Sequence, residues 1–258
     1  MWACLSRANR SAARTHLPAI SASEKESRFR SFWSYEKDER NIWDITLGGH
    51  VGILRYGSTD DDRPTGWQLD IEGAGIPRLD PDIANELISA DFRFGIPLTY
   101  GNERYQMKFG YYHLSSHLGD EFLLRLRNPG FPRLNFSRDV LIWGHSFYPA
   151  PTLWFYAEAG YAFISDVARQ WEFQFGAEMS PACETGPGGT PFAAVNASLR
   201  EELNYGGNFV VQVSWAWRRS PASGLFRTEV EYFNGKSDQF SFVNDYESKV
   251  GLGVWYDY

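Results

Sequence analysis

Residues 249–258 read Lys-Val-Gly-Leu-Gly-Val-Trp-Tyr-Asp-Tyr. Every second residue is apolar, from Val250 through Leu252, Val254 and Tyr256 to Tyr258, and the opposite set is Lys249, Gly251, Gly253, Trp255 and Asp257. A period of two is that of a strand; a helix repeats about every 3.6 residues. Chain ends are ordinarily polar and frayed. Here the apolar face continues onto the last residue, so that face requires an apolar neighbour or an apolar medium.

The pattern recurs upstream. Trp171, Phe173, Phe175, Ala177 and Met179 alternate with Glu172, Gln174, Gly176 and Glu178. Phe209, Val211, Val213, Trp215 and Trp217 oppose Gln212, Ser214 and Arg218. Similar runs start near Trp43, Trp67, Ala90, Tyr105, Leu153 and Phe226, with weaker ones near 138–148 and 190–202. With the terminal strand these make about eleven strands of roughly ten residues, the length that a tilted strand needs to cross hydrocarbon. Turn-forming clusters separate them, among them Asp60–Gly66, Tyr100–Asn102, Pro149–Pro151, Gly186–Gly189 and Asn204–Asn208.

Composition narrows the classes. The chain has 258 residues, 17% aromatic, with a net charge of −7. That aromatic content excludes disorder, and the acidic balance argues against a nucleic-acid partner. Two cysteines, Cys4 and Cys183, exclude a disulfide scaffold, and Cys183 reads as an unreactive loop thiol. No apolar run is long enough for a spanning helix, but a transmembrane barrel hides its apolar band in alternate residues.

A soluble β-sandwich binding protein also alternates and stays open as a reading. Three features favour an all-β, antiparallel, up-and-down transmembrane β-barrel. The aromatic faces would overfill a small soluble barrel. Trp43, Trp67, Trp171, Trp215, Trp217 and Tyr256 sit near strand ends, as girdles do. The third feature is the terminal strand, which resembles the C-terminal signal of bacterial outer-membrane barrels. It implies the assembly machinery as a partner through Val250, Leu252, Val254, Tyr256 and Tyr258, and the bacterial outer membrane as the location. With Tyr258 periplasmic, loops 75–86, 118–136, 166–170, 202–208 and 236–244 fall outside and the turns at 99–104, 149–151, 182–190 and 218–223 inside. Single-chain barrels have even strand counts, so about 12 strands are expected, the last either supplied by the stretch near Phe29–Tyr35 or missing with a truncated chain start. We expect residues 1–28 to be a poorly ordered N-terminal segment and 29–258 the barrel. Arg7, Arg10 and Arg14 lie in that first stretch without an apolar export segment, so we expect a natural start further upstream.

The stretches Trp67–Ala74, Ser89–Gly95, Tyr111–Phe122, Glu172–Gly176 and Tyr232–Ser237 resemble the bacterial barrel-like family named domain of unknown function 1207. The resemblance covers roughly residues 29 to 258 and implies a transmembrane barrel with no established activity.

Two groups of residues carry candidate chemistry. His113 and Ser115 share the outward face of their strand, where an imidazole could take the serine proton as general base. Asn135 or Asp139, across the loop, could orient the imidazole. The arrangement is similar to outer-membrane phospholipase A and the lipid A deacylases, which implies a serine-type lipid ester hydrolase. In those families an Asn follows the Ser, whereas Ser116 does here. The bland alternative is a strand leaving hydrocarbon for a polar loop cluster of Ser116, His117, Asp120 and Glu121. We expect no metal and no cofactor, calcium entering only with the hydrolase. The second group is inward: Glu158, Glu172, Glu178, Arg200, Arg227, Glu229 and Glu231 mix signs on neighbouring strands, as in a narrow or plugged lumen. The sequence therefore reads as a monomeric outer-membrane barrel of unknown substrate, in contact with membrane lipid and with no nucleic acid.

Overall fold

The computed structural model describes the chain except residues 1–19, 38–39, 59–64, 127–133, 135 and 221–222. Twelve strands close into one antiparallel barrel. They are β1 (Phe29–Glu36), β2 (Arg40–Gly57), β3 (Gly66–Asp80), β4 (Glu86–Gly101), β5 (Tyr105–Leu118), β6 (Phe136–Ala150), β7 (Leu153–Ser165), β8 (Trp171–Met179), β9 (Thr190–Arg200), β10 (Gly207–Arg218), β11 (Leu225–Lys236) and β12 (Tyr246–Asp257). Each strand pairs with its neighbour in sequence, and β1 closes the ring on β12, Phe29 opposite Tyr256 and Glu36 opposite Lys249. One short helix, α1 (Asp120–Leu126), follows β5.

The strand that supplies the even count is β1. Its outward face is Phe29, Ser31, Trp33 and Tyr35, and its inward face is Arg30, Phe32, Ser34 and Glu36. A serine outside and a phenylalanine inside blur the alternation. Trp33 stacks on Trp43 of β2 with ring centres 4.8 Å apart, which anchors this short strand to its neighbour.

The barrel wall sorts residues as the alternation requires. Val250 and Leu252 of β12 and Phe175 of β8 face outward and are exposed, whereas Arg227, Lys249 and Asp44 face inward and are buried. One rim carries the start of β1, the end of β12 and the β2–β3, β4–β5, β6–β7, β8–β9 and β10–β11 turns; we call it the termini end. The other rim carries the remaining connections and is the loop end.

Four expectations require correction. The stretch 75–86 is not a loop in full, because β3 continues through Pro77 to Asp80, and only 81–85 turn. Pro77 argues against strand by its missing donor, yet it lies opposite Ala90 in the ladder. Residues 20–28 are not poorly ordered: Ser21, Ala22, Ser23, Lys25, Glu26, Ser27 and Arg28 are all buried, inside the barrel, because their polar groups find partners on its wall. Ser116 and His117 are still strand, in β5, because Ser89 and Ala90 of β4 continue the ladder as far as Leu118. Cys183, in the β8–β9 turn, is disulfide-bonded rather than a free thiol. The only other cysteine, Cys4, lies outside the described residues.

A ring closed by pairing its first and last strands keeps no edge to unzip from. Purified protein is expected to run as a compact band on an unboiled detergent gel and to shift on boiling. Removing residues 29–36 exposes the edges of β2 and β12 and is expected to abolish the compact band.

Candidate functional site

The inner wall is a lattice of ion pairs. Arg78 of β3 donates to Asp44 of β2 (2.7 Å), to Glu247 of β12 (2.6 Å) and to Asp238 of the β11–β12 connection. Lys249 of β12 meets Asp238 at 2.9 Å, Asp44 at 3.2 Å and Glu247 at 3.0 Å. Further round the wall stand Arg93 with Glu72, Lys108 with Glu158, Arg138 with Glu172, Arg227 with Glu229 and Asp257, and Arg30 with Glu231. These side chains are largely buried, so each charge depends on its partner.

Glycines make room for several of these carboxylates. Gly95 lies opposite Glu72, Gly144 opposite Glu158 and Gly160 opposite Glu172 in the strand ladders. A Cβ on Gly95 would come within 2.7 Å of Glu72 Oε1, and one on Gly160 within 2.5 Å of Glu172 Oε1. Each of these glutamates lies flat across its glycine and reaches an arginine or lysine on the inner face.

Two segments of the chain fill the lumen. The first is 20–28, entering from the termini end, where Ile20 packs with Tyr148, Trp154 and Tyr156. Ser23 Oγ donates to Gln174 Oε1 at 3.2 Å, Lys25 Nζ meets Asp91 of β4 at 2.6 Å, and Arg28 returns to Asp257 at 3.3 Å. Asn208 Nδ2 donates to Glu24 Oε2 at 3.1 Å. The second is the β11–β12 connection, 237–245, folded inward from the loop end. Asp238 takes the cations described above, Ser89 Oγ donates to Gln239 Oε1 at 3.0 Å, and Ser241 N donates to Ser116 Oγ at 2.8 Å. Phe240 packs on Phe136 with ring centres 4.7 Å apart, in an apolar patch with Tyr112, Leu114, Val140 and Ile142.

The outward candidate lies near the loop end of β5 and β6. His113 Nδ1 is 2.9 Å from Asp139 Oδ1, and Tyr111 donates its hydroxyl to the same oxygen at 2.5 Å. Their strands hold them there, because His113 and Asp139 are direct partners in the ladder. Ser115 lies on the same face, opposite Ser137, but among the described residues no hydrogen bond joins it to His113. Asn135 lies outside the described residues. A carboxylate on Nδ1 would orient the imidazole and leave Nε2 for a proton transfer.

The polar cluster read as continuing from this site divides. Ser116 faces inward and holds the loop residue Ser241. His117 faces outward beside Phe92, and Asp120 and Glu121 open α1. Among the described residues no three His, Cys, Asp or Glu groups converge as metal ligands. Glu158, Glu172, Glu178, Arg200, Arg227, Glu229 and Glu231 lie on the inner face of the wall. Sequence reasoning missed Arg78, hidden in a stretch read as loop, and the inserted residues Lys25 and Asp238. The signal for the inserts was weak, a surplus of charged side chains next to strands that alternate well.

A family model described as "Protein of unknown function (DUF1207)" matches residues 21–258. No curated protein matches the chain. Among solved structures, the Salmonella typhi outer membrane phospholipase dimer with bound calcium is similar at a TM-score of 0.63 and 11% identity, over 92% of this chain and 96% of that one. Escherichia coli outer membrane phospholipase A is similar at 0.54 and 11% identity, over 89% and 90%. At such identities the likeness is one of fold.

Two outcomes test this lattice. Arg78→Met leaves three buried carboxylates with Lys249 as their shared cation, and is expected to destabilise the barrel by about 3–5 kcal/mol in urea titrations. Glu24, outside the strands, has its pKa raised from 4.5 to about 7, chiefly by burial and then by Asp238 beside it, while Asn208, Arg200 and Lys25 oppose the rise. Between those values the folded chain keeps a proton that the unfolded chain has released. The stability it contributes is present in acid and lost as pH rises through about 7. Glu24→Gln is expected to flatten that part of the stability–pH curve.

Proposed function

Because the chain belongs to the DUF1207 family, described only as of unknown function, we propose its function from the barrel itself: an outer-membrane β-barrel whose lumen is closed by its own chain, so that it is not an open solute pore. The observation that carries this reading is the pair of inserts, 20–28 and 237–245, each bonded to the wall across the lumen.

The membrane setting is supported by the outward apolar faces of all parts of the wall and by the outer-membrane proteins that share the fold. In this reading the termini end is periplasmic. The disulfide at Cys183, on that end, fits an oxidising compartment. The outward face of β12, Val250 to Tyr258, is then the surface offered to lipid and to the assembly machinery, with a monomer as the working unit. In this reading the lumen offers a solute no continuous path, so the barrel works through its outer surface or through release of the inserts.

A second reading rests on one specific contact, His113 to Asp139 at 2.9 Å with Ser115 two residues on. It makes the outward cluster a lipid ester hydrolase in which Asp139 orients His113 and His113 takes the proton of Ser115. The outer-membrane phospholipases, similar in fold, lend it an analogy. That among the described residues no hydrogen bond joins Ser115 to the imidazole weighs against it.

Folded protein in planar bilayers is expected to give no sustained conductance; steady channels in the unmodified chain refute the closed-lumen reading. Phe175→Lys, on the outward face of β8, is expected to cost about 2–4 kcal/mol more than Gln174→Lys on the inner face, measured by unfolding from lipid vesicles. For the second reading, release of fatty acid from phospholipid vesicles, with and without calcium, is the assay. Activity abolished by Ser115→Ala with the compact gel band retained establishes the hydrolase, and no release in either condition removes it.

A further inference from the structure

The two inserts arrive from opposite ends of the barrel and meet on one carboxylate. Lys25 Nζ, on the N-terminal insert, lies 2.6 Å from Asp91 Oδ2. The backbone N–H of Phe240, on the β11–β12 connection, donates to that same oxygen at 3.2 Å. Asp91 is fully buried. The inserts also touch directly, since Lys25 Nζ sits 4.9 Å from the centre of the Phe240 ring. Arg138 and Arg200, from β6 and β9, approach the same ring at 5.3 and 4.8 Å.

We propose that the inserts are one gate rather than two plugs, joined through Asp91, so that displacing the N-terminal insert from one end loosens the β11–β12 connection at the other. The physical argument is the shared acceptor. With Lys25 in place the Asp91 charge is matched, and the oxygen is held where the Phe240 amide can reach it. Withdrawing Lys25 leaves a buried carboxylate unmatched, which must then move or take up a proton, and the Phe240 amide loses its fixed acceptor. The aromatic patch round Phe240 loses one of its cations in the same step. Release of the connection acts in reverse: it opens Lys25 and Asp91 to water and weakens their pairing. A coupling of this kind is reciprocal, and its size is the same read from either side.

This proposal rests on the closed-lumen reading, and its test separates the two. Cysteine reporters are placed singly at Ser23, on the N-terminal insert, and at Ser241, on the connection, with Cys4 and Cys183 replaced by serine. Their reaction rates with a charged, water-soluble thiol reagent are measured on folded protein in vesicles, folding being checked by the heat-shift gel. In the otherwise unmodified barrel both reporters are expected to react slowly; fast reaction at both refutes the closed lumen itself. Lys25→Met is expected to speed the Ser241 reporter about tenfold, and replacing residues 238–240 and 242–243 by glycine and serine is expected to speed the Ser23 reporter by a similar factor. Asp91→Asn is expected to speed both, while Asp91→Glu retains part of the protection. If each insert responds only to changes in itself, and Asp91→Asn leaves either reporter slow, the single gate is refuted although the lumen remains closed.

Discussion

The organisation of this barrel follows from the need to match charge inside a narrow wall. Asp44, Asp238 and Glu247 surround Arg78 and Lys249, all of them buried. One of the three carboxylates belongs to a loop folded inward from the rim. The N-terminal insert obeys the same requirement, bringing Lys25 to Asp91 and Arg28 to Asp257. The inserts are therefore counter-ions as much as they are obstructions. An inner face bearing these carboxylates and cations without them would have to be filled with water and salt, as an open channel is. Charge pairing across the lumen thus links the wall, the closure and the position of both chain segments.

The same requirement shapes the strands locally. A glutamate that must reach an arginine on the inner face needs space beside it, and in three places a glycine on the adjacent strand supplies that space. The outer face is held to a different standard, since it needs apolar bulk and few partners. The cluster of Tyr111, His113 and Asp139 departs from that standard, two polar groups gathered on one outward carboxylate oxygen. The carboxylate is thereby partnered by two neighbours on its own face of the wall.

Much of the fold was legible because alternation is a local property. Phe173, Phe175 and Ala177 against Glu172, Gln174 and Gly176 state both the strand and its two faces. The even strand count followed from closure, and β1 was found by asking which stretch could complete the ring. What stayed hidden was non-local. Pro77 obscured the upper half of β3, and with it Arg78, because a missing donor reads as a break until the neighbouring strand is known. Residues 20–28 carry no period at all, and their order comes from partners such as Gln174 and Asp91, far along the chain. In the candidate site, His113 and Asp139 were legible as neighbours from strand parity. Whether Ser115 bonds the imidazole was not, because that depends on side-chain rotation.

The pairing of β1 with β12 also bears on how such a chain can reach this state. The seam joins residues more than two hundred positions apart, so it is among the least local contacts in the molecule, and long-range strand pairing of this kind is slow. The segment that leads into β1 ends up enclosed by the wall that β1 completes. Threading it through a finished ring would strip its charged side chains of water at every step. An order in which the open, curved sheet first gathers residues 20–28 against its concave face, and then closes round them, avoids that penalty. In that order a stretch that contributes no strand is in place before its container is complete.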